Sequence, residues 1–95
     1  MDTPEPFPIT VYGKPDAMCF GCRKTKLRLN EAGIPYRYVD LTDDANAADL
    51  AALKSLGVGQ APYVITPTTE WGGLDVDNID AAIEQYRQAV AAAAL

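Results

Sequence analysis

Cys19-Phe20-Gly21-Cys22 stands where a strand pattern gives way to a helix pattern, and it holds both cysteines of the chain. A thiol on the opening turn of a helix meets unpaired backbone N–H groups and the positive end of the dipole. Both favour thiolate over thiol, so the pKa of Cys19 is expected to be depressed. Cys22 follows one turn later on the same face, which brings its sulfur within reach of Cys19. Such a pair opens and closes as a disulfide, and that is redox chemistry.

Just upstream, Ile9-Thr10-Val11-Tyr12 alternates and is β-branched or aromatic, which predicts a strand. Gly13-Lys14-Pro15-Asp16 is a loop, and Asp16 or a near neighbour is expected to cap the helix that follows. That helix is expected from Cys19 to Ala32. It stops at Gly33, suited to a left-handed cap, and offers Leu27, Leu29 and Ala32 as apolar positions. Arg23, Lys24, Lys26 and Arg28 read as a solvated basic face that also sets positive charge beside the thiols.

Downstream, Pro35 opens a second strand over 36–40, and two strands separated by a helix predict a parallel pair with a right-handed crossover. After the helix starters Thr42, Asp43, Asp44 and Asn46, a second helix is expected over Ala47–Leu56, with Leu50, Leu53 and Leu56 toward the sheet. Tyr63–Thr66 predicts a third strand, and Thr69–Trp71 a short fourth that Gly72 and Gly73 break. A last helix runs from Val76 to the C-terminus, with Asp75 or Asp77 near its start and Ile79, Ile83, Tyr86 and Val90 as core stripe. The order β-α-β-α-β-β-α makes one α/β domain over 1–95, with the proline-rich residues 1–8 as an extended, partly loose lead-in.

The totals narrow the function. A net charge of -5 disfavours nucleic acid, which needs clustered Lys and Arg. No basic segment precedes an apolar run, so no secretory signal is expected, and the apolar stretch Ala89–Leu95 is too short to span a bilayer. A cytoplasmic protein follows, and there a permanent structural disulfide would be unusual. Two thiols without any histidine complete a four-ligand zinc site only with carboxylates, so no metal is expected.

The order of elements, the C-x-x-C after the first strand and the proline opening the third resemble the thioredoxin fold in its short glutaredoxin form. Within it the chain is similar to the NrdH redoxins over about Ile9 to Tyr86. The stretches that carry the resemblance are Val11-Tyr12-Gly13-Lys14-Pro15, the cysteine pair, Gly33-Ile34-Pro35-Tyr36, Val39-Asp40, Gln60-Ala61-Pro62 and Trp71-Gly72-Gly73. Where that family has W-S-G-F-R-P-D, this chain has Trp71-Gly72-Gly73-Leu74-Asp75-Val76-Asp77, and Asp16, Ala17 and Met18 lengthen the loop before Cys19. The pair Gly72-Gly73 with Asp75 also resembles the segment with which glutaredoxins hold glutathione.

The resemblance implies a four-stranded mixed sheet flanked by three helices, and a monomeric dithiol-disulfide oxidoreductase without bound cofactor. Electrons would come from NADPH through thioredoxin reductase and pass to class Ib ribonucleotide reductase or other protein disulfides. Glutathione as donor is the alternative, and an iron–sulfur or partner-binding module of the same fold is a third. Cys19 would be the nucleophile and Cys22 the resolving thiol. Pro62 matches the fold's cis-proline, which would turn the Ala61 backbone toward an extended substrate segment and keep metal ions off the thiols. Phe20, Gly21, Gln60, Ala61, Trp71, Gly72 and Gly73 become candidate partner contacts, although Trp71 reads rather as a core plug. Lys14 is a candidate thiolate stabiliser. Water, Lys14 and Asp40 are the candidate proton sources for Cys22.

Overall fold

The computed structural model describes residues 5–95. Four strands, β1 (Thr10–Gly13), β2 (Arg37–Asp40), β3 (Tyr63–Ile65) and β4 (Glu70–Gly72), form one sheet in the order β2-β1-β3-β4. The β1–β2 pair is parallel, and both β1–β3 and β3–β4 are antiparallel, so the sheet is mixed as expected. Three helices accompany it: α1 (Phe20–Glu31), α2 (Ala47–Ser55) and α3 (Val76–Ala93). Short 3-10 turns at Asp16–Met18 and Asp44–Asn46 lead into α1 and α2.

Alternation sends Val11, Val39 and Val64 into the core. Val11 and Val64 meet Leu29 of α1, and Ile79, Ala82 and Ile83 of α3, whereas Val39, paired with Tyr12, is buried on the other face of the sheet. The buried residues of α1 are Cys22, Thr25 and Leu29, three or four apart on one stripe. Leu27, expected beside Leu29, is exposed instead, because residues two apart lie on nearly opposite sides of a helix. The same geometry corrects α2. A three-residue step falls about 60° short of a full turn. Leu53 is therefore buried, Leu50 half-buried, and Leu56 is 75% exposed just past the helix end. In α3, Ala82 takes a core place, and Ala89 packs against the core where Val90 was expected, leaving Val90 turned outward.

The ends of the elements follow local chemistry. Gly33 has φ +71, and the Ile34 amide returns to the Leu29 carbonyl at 2.9 Å, the left-handed stop expected for α1. Asp75 caps α3, its carboxylate accepting from the Asn78 amide at 3.1 Å and the Asn78 side-chain amide at 2.8 Å. Thr66 leaves the predicted strand to build the β3–β4 turn, its hydroxyl donating to the Thr69 carbonyl at 2.8 Å. The lead-in is not loose throughout. Residues 1–4 lie outside the described ones, but Phe7 is buried in the core with Ile9.

Candidate active site

Cys19 lies at the N-cap of α1, with φ -150 and ψ 96, and its sulfur accepts the backbone N–H of Cys22 at 3.1 Å. An N-cap acceptor normally comes from Ser, Thr, Asp or Asn. Here sulfur fills that role, so one of the free amides of the helix's first turn is aimed at the atom where negative charge would gather. Asp16, expected to cap, starts the preceding 3-10 turn and instead pairs with Lys26 at 2.7 Å. That hydrogen bond, chiefly, raises the Lys26 pKa above its ordinary 10.5.

The two sulfurs are joined, with Cα atoms 5.2 Å apart. Their surroundings differ. Cys19 is half-buried, whereas Cys22 is 0% exposed. The Lys14 backbone amide donates to Cys22 Sγ at 3.4 Å. Lys14 therefore touches the pair through its main chain, and its side chain is exposed. The Tyr38 hydroxyl donates to the Lys14 carbonyl and fastens the loop, while the Lys26 ammonium lies 4.1 Å from the Tyr38 ring centroid.

Gly13 makes this packing possible. A Cβ there would collide with the Tyr38 hydroxyl and come within 2.8 Å of Cys22 Sγ. Gly13 and Tyr38 were legible only as a loop glycine and a strand tyrosine, with no signal in one sequence that they meet behind the cysteines. Asp40, a candidate proton source, is otherwise engaged. Its carboxylate accepts the Thr42 hydroxyl at 2.7 Å and the Thr42 amide at 2.9 Å, and these bonds hold its pKa below the ordinary 3.8.

On the other side, the Ala61–Pro62 bond is cis, as the resemblance implies. The Pro62 ring lies close over Gly21, where a Cβ would come within 3.0 Å of Pro62 Cδ and 3.4 Å of Leu74 Cβ. The Pro62 carbonyl accepts the Gly73 amide at 2.7 Å. Gln60 covers Gly72 and Gly73, and a Cβ on Gly73 would meet Gln60 Nε2 at 3.0 Å. Gln60, Ala61, Pro62, Gly72 and Gly73 thus gather beside Gly21.

Phe20 is exposed, with the Arg23 guanidinium 5.5 Å from its ring centroid. Met18, in the lengthened loop before Cys19, is exposed as well. Trp71 is 8% exposed and belongs to the core, so of its two readings the plug describes its position. Leu74 joins the exposed apolar rim, a position hidden in the sequence by the divergence of its segment. Among the described residues, no group of three or more Cys, Asp or Glu is placed to hold a metal ion.

A four-stranded mixed sheet with a C-x-x-C pair at the start of its first helix and a cis-proline opposite defines a thiol-disulfide oxidoreductase of thioredoxin-like fold. The Glutaredoxin family model matches residues 9–68, more than half of the chain, and the chain belongs to that family. It is 35% identical over 80 residues to the Gene 56 protein of Mycobacterium phage L5, covering 83% of this chain and 75% of that one. Among solved structures it is similar to the glutaredoxin-like NrdH-redoxin of Escherichia coli, at TM-score 0.67 and 30% identity. That match covers 78% of this chain and 92% of the other. The thioredoxin-like protein BC3987 is also similar, at TM-score 0.64 and 26% identity, with 78% and 97% covered.

Proposed function

We propose that the protein is a dithiol electron carrier of the reducing cytoplasm, reduced by thioredoxin reductase and donating to protein disulfides, class Ib ribonucleotide reductase among them. The observation that carries the chemistry is the unequal pair: a half-buried Cys19 whose sulfur accepts the Cys22 amide, beside a wholly buried Cys22. The Cys19 thiolate attacks one sulfur of a target disulfide. The target's S–S bond breaks, its other sulfur leaves and takes a proton, and a Cys19–target disulfide forms. Cys22 then loses its proton and attacks Cys19 Sγ, closing the internal disulfide and releasing the second target thiol. Two electrons have passed to the target. NADPH restores them through the reductase.

Likeness to the NrdH-redoxin, described as having a thioredoxin-like activity profile, supports thioredoxin reductase as the source. The glutathione reading is favoured by the Glutaredoxin match and by the Gly72-Gly73 pair ahead of Asp75. Against it, both Asp75 oxygens are already occupied by Asn78. Recycling of the oxidised protein by NADPH with thioredoxin reductase, compared with NADPH, glutathione and glutathione reductase, decides the matter. Success only with glutathione removes the proposal. In the same assay Cys19→Ser abolishes turnover, and Cys22→Ser accumulates the mixed disulfide on a non-reducing gel.

A further inference from the structure

A cleft of about 370 Å³ opens against α2, lined by neither cysteine but reaching Lys14 and Ala61 at the edge of the site, and has no part in the exchange steps above. Leu41, Leu50, Leu53 and Val58 line its apolar part, and Ala61 and Lys14 connect it to the site. The connection is short: the Lys14 amide touches Cys22 Sγ, and Ala61 immediately precedes the proline that lies over Gly21. Its volume lies at the small end of ligand pockets, suited to one or two side chains rather than a large cofactor.

Charge says which side chains. The chain is acidic at -5, yet no carboxylate lines this cleft, while Lys14 and Lys54 do. Both lysines are exposed, and among the described residues neither forms an ion pair, in contrast to Lys26 and Arg28. Leu41, Leu50 and Val58 are left half-buried, so apolar surface remains to be covered between two unneutralised cations.

We infer that this cleft is a subsite for the target polypeptide, taking an aliphatic side chain whose neighbouring residue carries a carboxylate. The aliphatic group covers Leu50 and Val58, and the carboxylate lies toward Lys54. The inference rests on the carrier reading above and adds which protein disulfides the carrier prefers.

The test uses the reduced full-length protein and three short peptides. Each peptide has one cysteine in disulfide with thionitrobenzoate, flanked by Leu-Glu, Leu-Gln or Ser-Glu. Hydroxyethyl disulfide is the small reference, and each peptide rate is divided by the reference rate for the same protein variant. The Leu-Glu peptide is expected to react about 2- to 5-fold faster than Leu-Gln at low salt, the range of an exposed ion pair. Its advantage over Ser-Glu is expected to be about 10-fold, from burial of the aliphatic group. Lys54→Glu should erase the Glu-over-Gln preference and keep the Leu-over-Ser one. Leu50→Ser should do the opposite. Equal rates for the three peptides, or a Glu preference unchanged in Lys54→Glu, overturns the inference while reduction of the small disulfide leaves the carrier reading intact. Failure to reduce even hydroxyethyl disulfide removes both.

Discussion

At residue scale the site depends on a glycine that performs no chemistry. Gly13 lets the Tyr38 hydroxyl and Cys22 Sγ approach a backbone where any Cβ would overlap them. Gly13→Ala is expected to cost about 1–3 kcal/mol through overpacking, measured by urea unfolding of the oxidised protein. Tyr38→Phe removes one of the colliding atoms, so in the double variant the loss should be smaller than the sum of the two single ones. A strictly additive pair would show that the crowding is relieved elsewhere. Asp40 makes a second prediction at this scale. Its folded pKa lies below the ordinary 3.8, so its contribution to stability is fully present above that value and lost as pH falls through the depressed one. Asp40→Asn should therefore be less stable than the parent at pH 6, and the gap should close in strong acid. A gap independent of pH would contradict the assignment.

Among the elements, those that position the cysteines are anchored better than α2. Helix α1 buries three residues and α3 buries three, whereas α2 buries Leu53 alone. Amide hydrogen exchange should accordingly be faster in α2 than in the middle of α1 or α3. Equal protection would mean that α2 opens only with the whole domain. This contrast also bears on what a single sequence reveals. The strand patterns, Gly33 as a stop and Asp75 as a cap were legible because each depends on a few adjacent residues. Leu27, Leu56 and Val90 were misplaced because burial depends on rotation around the helix, a matter of one residue more or less. Thr25 was overlooked since a hydroxyl carries no apolar signal, although it lies buried between Cys22 and Leu29 on the same stripe. For the site, the cysteines stood out by spacing, whereas Gly13, Tyr38 and Leu74 acquire their roles only when distant segments meet.

For the molecule as a whole, a domain of this size has only about 5–15 kcal/mol of stability to lose. Phe7 joins the segment before β1 to the same core as α1 and α3, and so belongs to the domain rather than to a tail. Phe7→Ala is expected to remove about 3–5 kcal/mol, read as a large fall in the urea midpoint. A change below about 1 kcal/mol would mean that this end merely rests on the surface.

The unequal exposure of the two sulfurs has a consequence for how the protein meets anything else. An electrophile or a foreign cysteine that arrives from solution finds only the outer sulfur, Cys19, since Cys22 is wholly enclosed. Every disulfide adduct of the reduced, folded protein is thus one-to-one and joined at the same sulfur. Trapped complexes would then share one point of attachment, next to the exposed ring of Phe20.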